Sequence, residues 1–311
     1  MHPGPRARLE LSAVTFRPPK GTGMLTGAAL IAWSLALAVA AIGAVWGGGT
    51  GFTALLGWLA AITGILLAAL FALWLYGLAT LSYVVAPDVV LIRWGFRRIV
   101  IPIDTILRMV PGRTMDKPRV EGLRWLGYHL GHADIHRLGY TIFFATRASP
   151  DELLYIHTTQ ESYALTVLDQ ARFAEEVQAR AALGPLQSRE QRSRATGLAA
   201  IPIWRDRVAI GGALLAVGSC VLLCSVFFLR YDGLPSIIAI KFPVSGDVVR
   251  VGDKEKLLGI PWLSVGILAT NLLVGVLVHV RERAAAVWLF TSSAMLQILL
   301  LGAALVAFQS A

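Results

Sequence analysis

Charge is scarce in this chain. Asp, Glu, Lys and Arg make up 15% of its 311 residues, against 56% for the hydrophobic types, and the mean hydropathy is +0.65. That balance excludes an ordinary soluble protein and leaves a membrane protein. Cysteine is nearly absent, with only Cys220 and Cys224. Two thiols four residues apart in one apolar run lie side by side on a helix without disulfide geometry. A disulfide framework is therefore excluded, and both read as small buried residues.

Five apolar runs, residues 24–46, 54–78, 208–229, 260–279 and 285–308, contain no Asp, Glu, Lys or Arg. Intramembrane charges mark proton relays and ion pathways, so their absence argues against a coupled transporter or pump. The chain also lacks His-Glu-x-x-His, Gly-x-Ser-x-Gly and paired aspartates within the runs. Those are the arrangements that hydrolytic chemistry requires. No catalytic residue and no cofactor are expected, and the chain reads as a noncatalytic protein rather than an enzyme.

What is present is length in the apolar runs. A hydrocarbon core about 30 Å thick takes roughly 20 helical residues, so all five runs are read as transmembrane helices. The first follows a polar tail, residues 1–23, without a tidy cleavage site and is read as retained. Orientation follows from the basic residues. Arg6, Arg8, Arg17 and Lys20 precede the first run, and the turn at 47–53 is uncharged. Residues 80–207 carry 17 Lys and Arg, and Arg281 and Arg283 occupy the last short turn. These put the N-terminus and the middle segment in the cytoplasm and the C-terminus outside. The loop at 230–259 must then be outside, although Arg230, Lys241, Arg250, Lys254 and Lys256 make it basic.

The expected organisation is a tail (1–23), a helical hairpin (24–80), a soluble domain (81–184), a basic linker (185–207) and three helices with an outer loop (208–311). Within the domain, strands are predicted at 81–86, 89–94, 97–102, 105–110, 140–146, 153–158 and 162–167. A closing helix is predicted at 168–183, with Phe173 and Val177 on its inner face and Gly184-Pro185 as its stop. Seven strands and one helix predict a β-sandwich or small barrel capped by a C-terminal helix, inserted into a helical membrane protein.

The run Tyr83-Val-Val-Ala-Pro-Asp88-Val-Val-Leu-Ile-Arg-Trp-Gly95, then Arg98-Ile-Val-Ile-Pro102-Ile-Asp-Thr-Ile106, resembles the opening of bacterial pleckstrin-homology (PH) domains. Residues 163–180, a last strand running into a helix with Phe173 inside, are similar to their ending. The resemblance implies a noncatalytic interaction module of a bacterial plasma-membrane protein, regulatory or scaffolding in role. Eukaryotic PH domains that bind phosphoinositides carry a basic cluster in the first turn. Here that turn is Ala86-Pro87-Asp88-Val89, so inositide recognition is not implied.

Residues 233–246, followed by Lys254, Lys256 and Ile260-Pro261, are similar to a bacterial membrane domain of unknown function also found in toxin-immunity proteins. That family's usual histidine is Lys241 here. The resemblance implies the alternative of an envelope-stress or toxin-immunity protein acting through its last three helices. A transporter is the least favoured reading. Two short strands around Ser245-Gly246 are predicted in the outer loop.

The candidate contact site is the segment 114–138, read as an insertion between the fourth and fifth strands. It holds Arg119, Arg124, Trp125 and Tyr128. Trp and Tyr favour the headgroup level, and each basic residue near an anionic surface contributes roughly 1 kcal/mol. A second patch, Arg93, Arg97 and Arg98, flanks the Trp94-Gly95-Phe96 turn, where guanidinium suits phosphate. His129, His132 and His136 with Asp134 have a weak metal-like spacing, but the nearby glycines read as loop turns and no metal is expected. The partners read from the sequence are membrane lipid, a protein of unstated identity and, as an option, a second copy of the chain. Nucleic acid is excluded because orientation already explains the basic residues and no base-reading motif occurs. Asn271 and Gln297 are expected to hydrogen-bond across the last two helices, and Gly211, Gly212 and Gly218 to admit close helix approach.

Overall fold

A chain that enters hydrocarbon finds no water for its peptide groups, so uncharged apolar runs must close their hydrogen bonds within helices. The computed structural model describes residues 13–46, 51–115, 118–183, 190–195, 201–241 and 249–310. Its helices are α1 (Gly21–Val45), α2 (Phe52–Thr80), α3 (Gln170–Leu183), α4 (Arg207–Tyr231), α5 (Gly259–His279) and α6 (Arg283–Ser310). All but α3 are long and apolar enough to cross a membrane, which makes this a multi-pass membrane protein. The chain divides into two compact units, residues 1–36 with 64–200, and residues 37–63 with 201–311.

The first unit holds eleven strands among the described residues, most of them built from alternating or continuous apolar runs. They are β1 (Val14–Phe16), β2 (Ser82–Val85), β3 (Val89–Trp94), β4 (Arg97–Pro102), β5 (Ile106–Pro111), β6 (Glu121–Trp125), β7 (Tyr128–Ile135), β8 (Gly139–Ala145), β9 (Leu153–Thr158), β10 (Ser162–Thr166) and β11 (Arg192–Ala195). One sheet has the order β1-β2-β3-β4-β11 and the other β5-β9-β10-β8-β7-β6. All pairs are antiparallel except β10 with β8. The core packs Tyr83, Ile92 and Ile101 of one sheet with Phe144, Ile156 and Leu165 of the other, and α3 adds Phe173 and Val177. The predicted inner face of that helix is the buried one.

Tyr83 ties the sheets together. Its hydroxyl donates to the Phe144 carbonyl at 2.6 Å and accepts from the Thr166 N–H at 3.3 Å. Both partners lie in the second sheet, and buried peptide groups left unpaired are costly.

Three departures from the sequence reading concern edges. Residues 14–16, assigned to the tail, form β1, pairing Phe16 opposite Tyr83. Residues 192–195, assigned to the linker, form β11 against β4. The insertion 114–138, read as a loop, carries the β6–β7 hairpin. Gly122 (φ +133°) faces Gly131 across that hairpin, and a Cβ on either would run into the opposite strand's backbone. These glycines permit a strand pair rather than interrupt one.

In the second unit, α4, α5 and α6 enclose a small polar cluster. The Ser264 hydroxyl donates to Gln297 Oε1 at 2.5 Å, and Gln297 Nε2 donates to the Ser264 carbonyl at 3.0 Å. Cys220 Sγ lies 3.2 Å from Ser264 Oγ, and both cysteines are free and buried. Gln297 thus bridges to Ser264 rather than to Asn271. Of the three glycines named from the sequence, Gly212 alone meets a neighbour, Phe290, while Gly275 also abuts that ring.

Asp206 gathers three helix ends. Its carboxylate caps α4 by accepting from Val208 and Ala209 N–H at 3.1 and 3.2 Å. It also accepts from Arg283 Nε at 2.5 Å and contacts His279 Nε2 at 3.1 Å. Arg283 and then His279 hold the carboxyl below its ordinary range. The ribbon β12 (Ile237–Lys241) with β13 (Val249–Asp253) completes this unit, while Ser245-Gly246 lies outside the described residues, as do Arg6 and Arg8.

Candidate functional site

Two hairpin tips of the β-domain meet the ends of α1 and α2 within the first unit. The β3–β4 turn is formed by Gly95, at φ +50°, and its N–H donates to the Thr80 hydroxyl at 2.7 Å. Phe96 stacks obliquely on Tyr76 at 5.1 Å, and Gly77 leaves room for the Trp94 indole. Lys20, just before α1, donates its ammonium to the Ala79 carbonyl at 2.6 Å, linking the start of one helix to the end of the other.

The β6–β7 tip reaches further along the helices. The Trp125 ring lies 6.4 Å from Phe71 and 6.0 Å from Trp74 of α2, and 5.1 Å from Tyr128. The Trp94 indole N–H donates to the Tyr128 hydroxyl. Gly127, at φ +82°, abuts the backbone of Gly23 in the first turn of α1. Between Trp125 and Gly127, Leu126 projects with 73% of its surface exposed.

This geometry divides the sequence-selected residues. Tyr128 is 0% exposed, and burial raises its pKa. It is a packing residue, not the contact residue expected of it. Trp125 likewise spends its ring on the chain's own helix, because an apolar helix end offers it a closer surface than lipid does. Arg93, Arg97, Arg98, Arg119 and Arg124 are all exposed. Arg97 lies 6.0 Å from the Trp94 ring centroid. Arg93 and Arg98 are direct cross-strand partners, and Arg194 occupies the next register position on β11. Like charges placed opposite each other cost stability, of order 0.2–1 kcal/mol per pair.

The histidines are not gathered. His129 and His132 sit three apart on β7, so their side chains leave opposite faces, and His136 lies beyond the strand. His132 stacks on Tyr140 at 5.3 Å and lies 3.5 Å from Glu121. Among the described residues no group of three or more His, Cys, Asp or Glu is placed to hold a metal ion.

Sequence reasoning missed a cleft beside the tip. Its volume is about 360 Å³, and its walls include Gly21, Thr22, Gly127, His129, Thr146 and Arg147. Burial and then Arg124 lower the pKa of His129, which favours the neutral imidazole. Nothing local marks Thr146 or Arg147, because only the fold carries the end of β8 to the start of α1.

No curated protein and no solved structure matches this chain. Residues 81–181 match the family model described as a bacterial PH domain, so the chain carries a bacterial PH-like domain between its second and third apolar helices.

Proposed function

We propose that the PH-like domain is a noncatalytic membrane-surface module, held at the cytoplasmic face by its own helices and meeting the headgroup layer with the β6–β7 tip. Its role is regulatory or scaffolding. The observation that carries this reading is the packing of Trp125 on Phe71 and Trp74 with Leu126 exposed beside it.

Depth supports it. At 1.5 Å per residue the 29 residues of α2 extend about 43 Å, roughly 13 Å more than a hydrocarbon core. Phe71 lies nine residues before Thr80, again about 13 Å from that end. With the excess length of α2 assigned to its Thr80 end, the tip falls near the hydrocarbon boundary, where Trp rings and an exposed leucine are accommodated. Arg93 and Arg98, opposed in register and exposed, gain a counter-charge from anionic headgroups, at roughly 1 kcal/mol per basic residue. The spans already supply the local concentration, so these contacts orient the domain rather than recruit it.

The test uses the full chain in lipid nanodiscs, with Cys220 and Cys224 replaced by Ala. A nitroxide is attached through Leu126→Cys or, as a surface control, Gln160→Cys. The Leu126 label is expected to meet lipid-soluble oxygen more readily than an aqueous relaxant, and the Gln160 label the reverse. Equal aqueous access at both positions, or a Leu126 label protected only after a protein partner is added, overturns the lipid reading. Labelling of Gln160→Cys in intact cells by an impermeant thiol reagent would overturn the cytoplasmic placement.

A further inference from the structure

Arginines occupy one row across three adjacent strands of the first sheet. Arg93 of β3 is opposite Arg98 of β4, and Arg194 holds the next register position on β11. Directly opposite residues leave the same face of a sheet. For Arg93 and Arg98 that face is the outer one, because their neighbours Ile92 and Ile99 are buried in the core. Gly95-Phe96 is a two-residue turn, so its closing pair, Trp94 and Arg97, exchanges the backbone hydrogen bonds. The next pair, Arg93 with Arg98, is then of the non-hydrogen-bonded kind, with Cα atoms about 4.5 Å apart and side chains at their closest.

Nothing on that face offsets the charge. Arg93 and Arg98 are exposed, and among the described residues neither forms a salt bridge. Register places Ser82, Leu91 and Val100 around them, and none is acidic. Arg192, further along β11, already has Glu190. Two guanidiniums side by side repel, so the pair is relieved by an anion that another molecule supplies. Each planar fork takes one phosphate through two parallel hydrogen bonds. A single phosphate serves one fork and leaves the other. Two phosphates in one headgroup serve both, since the second contact is then intramolecular.

Position selects lipid as the source. The pair lies one residue behind a tip whose Gly95 N–H meets the Thr80 hydroxyl and whose Phe96 meets Tyr76, at the last turn of α2. In the membrane-surface reading above, on which this step rests, that turn stands clear of the hydrocarbon, at the level of the headgroups. The row is separate from the first turn of the domain, Ala86-Pro87-Asp88-Val89, which has no basic residue.

We propose that the Arg93–Arg98 pair binds a lipid headgroup that carries two phosphates, as in diphosphatidylglycerol, with one phosphate on each guanidinium.

The experiment uses the full chain in a phosphorus-free detergent. Native mass spectrometry compares binding of diphosphatidylglycerol with that of phosphatidylglycerol at equal total charge. Calorimetry compares soluble glycerol 1,3-bisphosphate with glycerol 1-phosphate, which tests the pair without a bilayer. The variants are Arg93→Gln, Arg98→Gln and, as an equal change of charge on the exposed surface of α3, Arg172→Gln. Both two-phosphate probes are expected to bind more tightly than their one-phosphate counterparts. Arg93→Gln and Arg98→Gln should each weaken them about fivefold, and Arg172→Gln should leave them unchanged. All three side chains are exposed, so the variants should fold as the unmodified chain does. The proposal is overturned if two phosphates bind no better than one, or if Arg172→Gln weakens binding as much as the other two. It is also overturned if the soluble bisphosphate binds and the lipid does not, or if Arg93→Gln releases a protein that co-purifies from native membranes while lipid binding is unchanged. A Leu126 label in lipid with no preference for two phosphates removes this proposal alone. A Leu126 label in water with the bisphosphate still bound removes the membrane-surface reading and, with it, the lipid source.

Discussion

Gly23, in the first turn of α1, and Gly127, in the β6–β7 tip, meet backbone to backbone. A Cβ on Gly23 would collide with the Gly127 carbonyl, and a Cβ on Gly127 with the Gly23 amide. This contact seats the tip, brings Trp125 onto α2 and forms one wall of the cleft.

Gly23→Ala and Gly127→Ala are each expected to destabilise the chain by about 1–3 kcal/mol, through overpacking and, at Gly127, a left-handed backbone. The two act on one contact, so the double variant should cost less than the sum. Gly43, on the same helix with open space around it, is the control: Gly43→Ala should be neutral or slightly stabilising. Thermal midpoints in detergent decide this, and an unaffected midpoint for both variants would remove the contact's importance.

Tyr83→Phe retains the ring but strips the bridge between the sheets. The Phe144 carbonyl and Thr166 N–H would be left buried, at a cost of about 1–3 kcal/mol. Denaturant unfolding followed by near-ultraviolet circular dichroism measures it. A midpoint equal to that of the unmodified protein would mean that water replaces the hydroxyl.

Alkaline pH should unfold the β-domain. Burial raises the pKa of Tyr83, Tyr128, Tyr155 and Tyr163 above the ordinary 10.0, and that of Tyr155 to about 12. The unfolded phenols lose their protons first, so their contribution is complete below pH 10 and falls as pH rises through about 12. Tyrosinate absorbance should appear together with loss of near-ultraviolet dichroism. Full ionisation near pH 10 with native dichroism intact would contradict this burial.

Asp206→Asn keeps a side-chain cap for α4 but removes the charge that Arg283 and His279 share, so the thermal midpoint should fall. Asp206→Ala should lower it further by losing the cap. Since Arg283 holds the carboxyl below its ordinary 3.8, the contact contributes fully above that pH and is lost as pH falls through the lowered value. The midpoint of Asp206→Asn should therefore be less acid-sensitive than that of the unmodified chain. Equal acid sensitivity would assign the transition to other groups.

Local pattern was enough for the elements that satisfy themselves. A run of more than twenty residues without charge can only be a helix in lipid, and α1, α2, α4, α5 and α6 follow from that. Residues 81–102 and Phe173 with Val177 were legible for a similar reason, because turn residues and spacing set their faces.

What the sequence left open depends on partners far along the chain. The short strands β1 and β11 exist because sheet edges accept them, and neither has a local signature. Gly122 and Gly131 read as turns until they face each other across a hairpin. Trp125 and Tyr128 carry an interfacial signal, yet an aromatic ring lowers its free energy equally against lipid or against Phe71 and Trp74. Composition and periodicity pointed to a membrane protein with five spanning helices among the described residues and an inserted β-domain, and the resemblance of residues 83–106 and 163–180 implied that the domain is PH-like. Only the tertiary structure decided which aromatics are spent on docking and that Leu126 stays exposed beside them, because burial is a property of the neighbours a residue acquires and not of the residue itself.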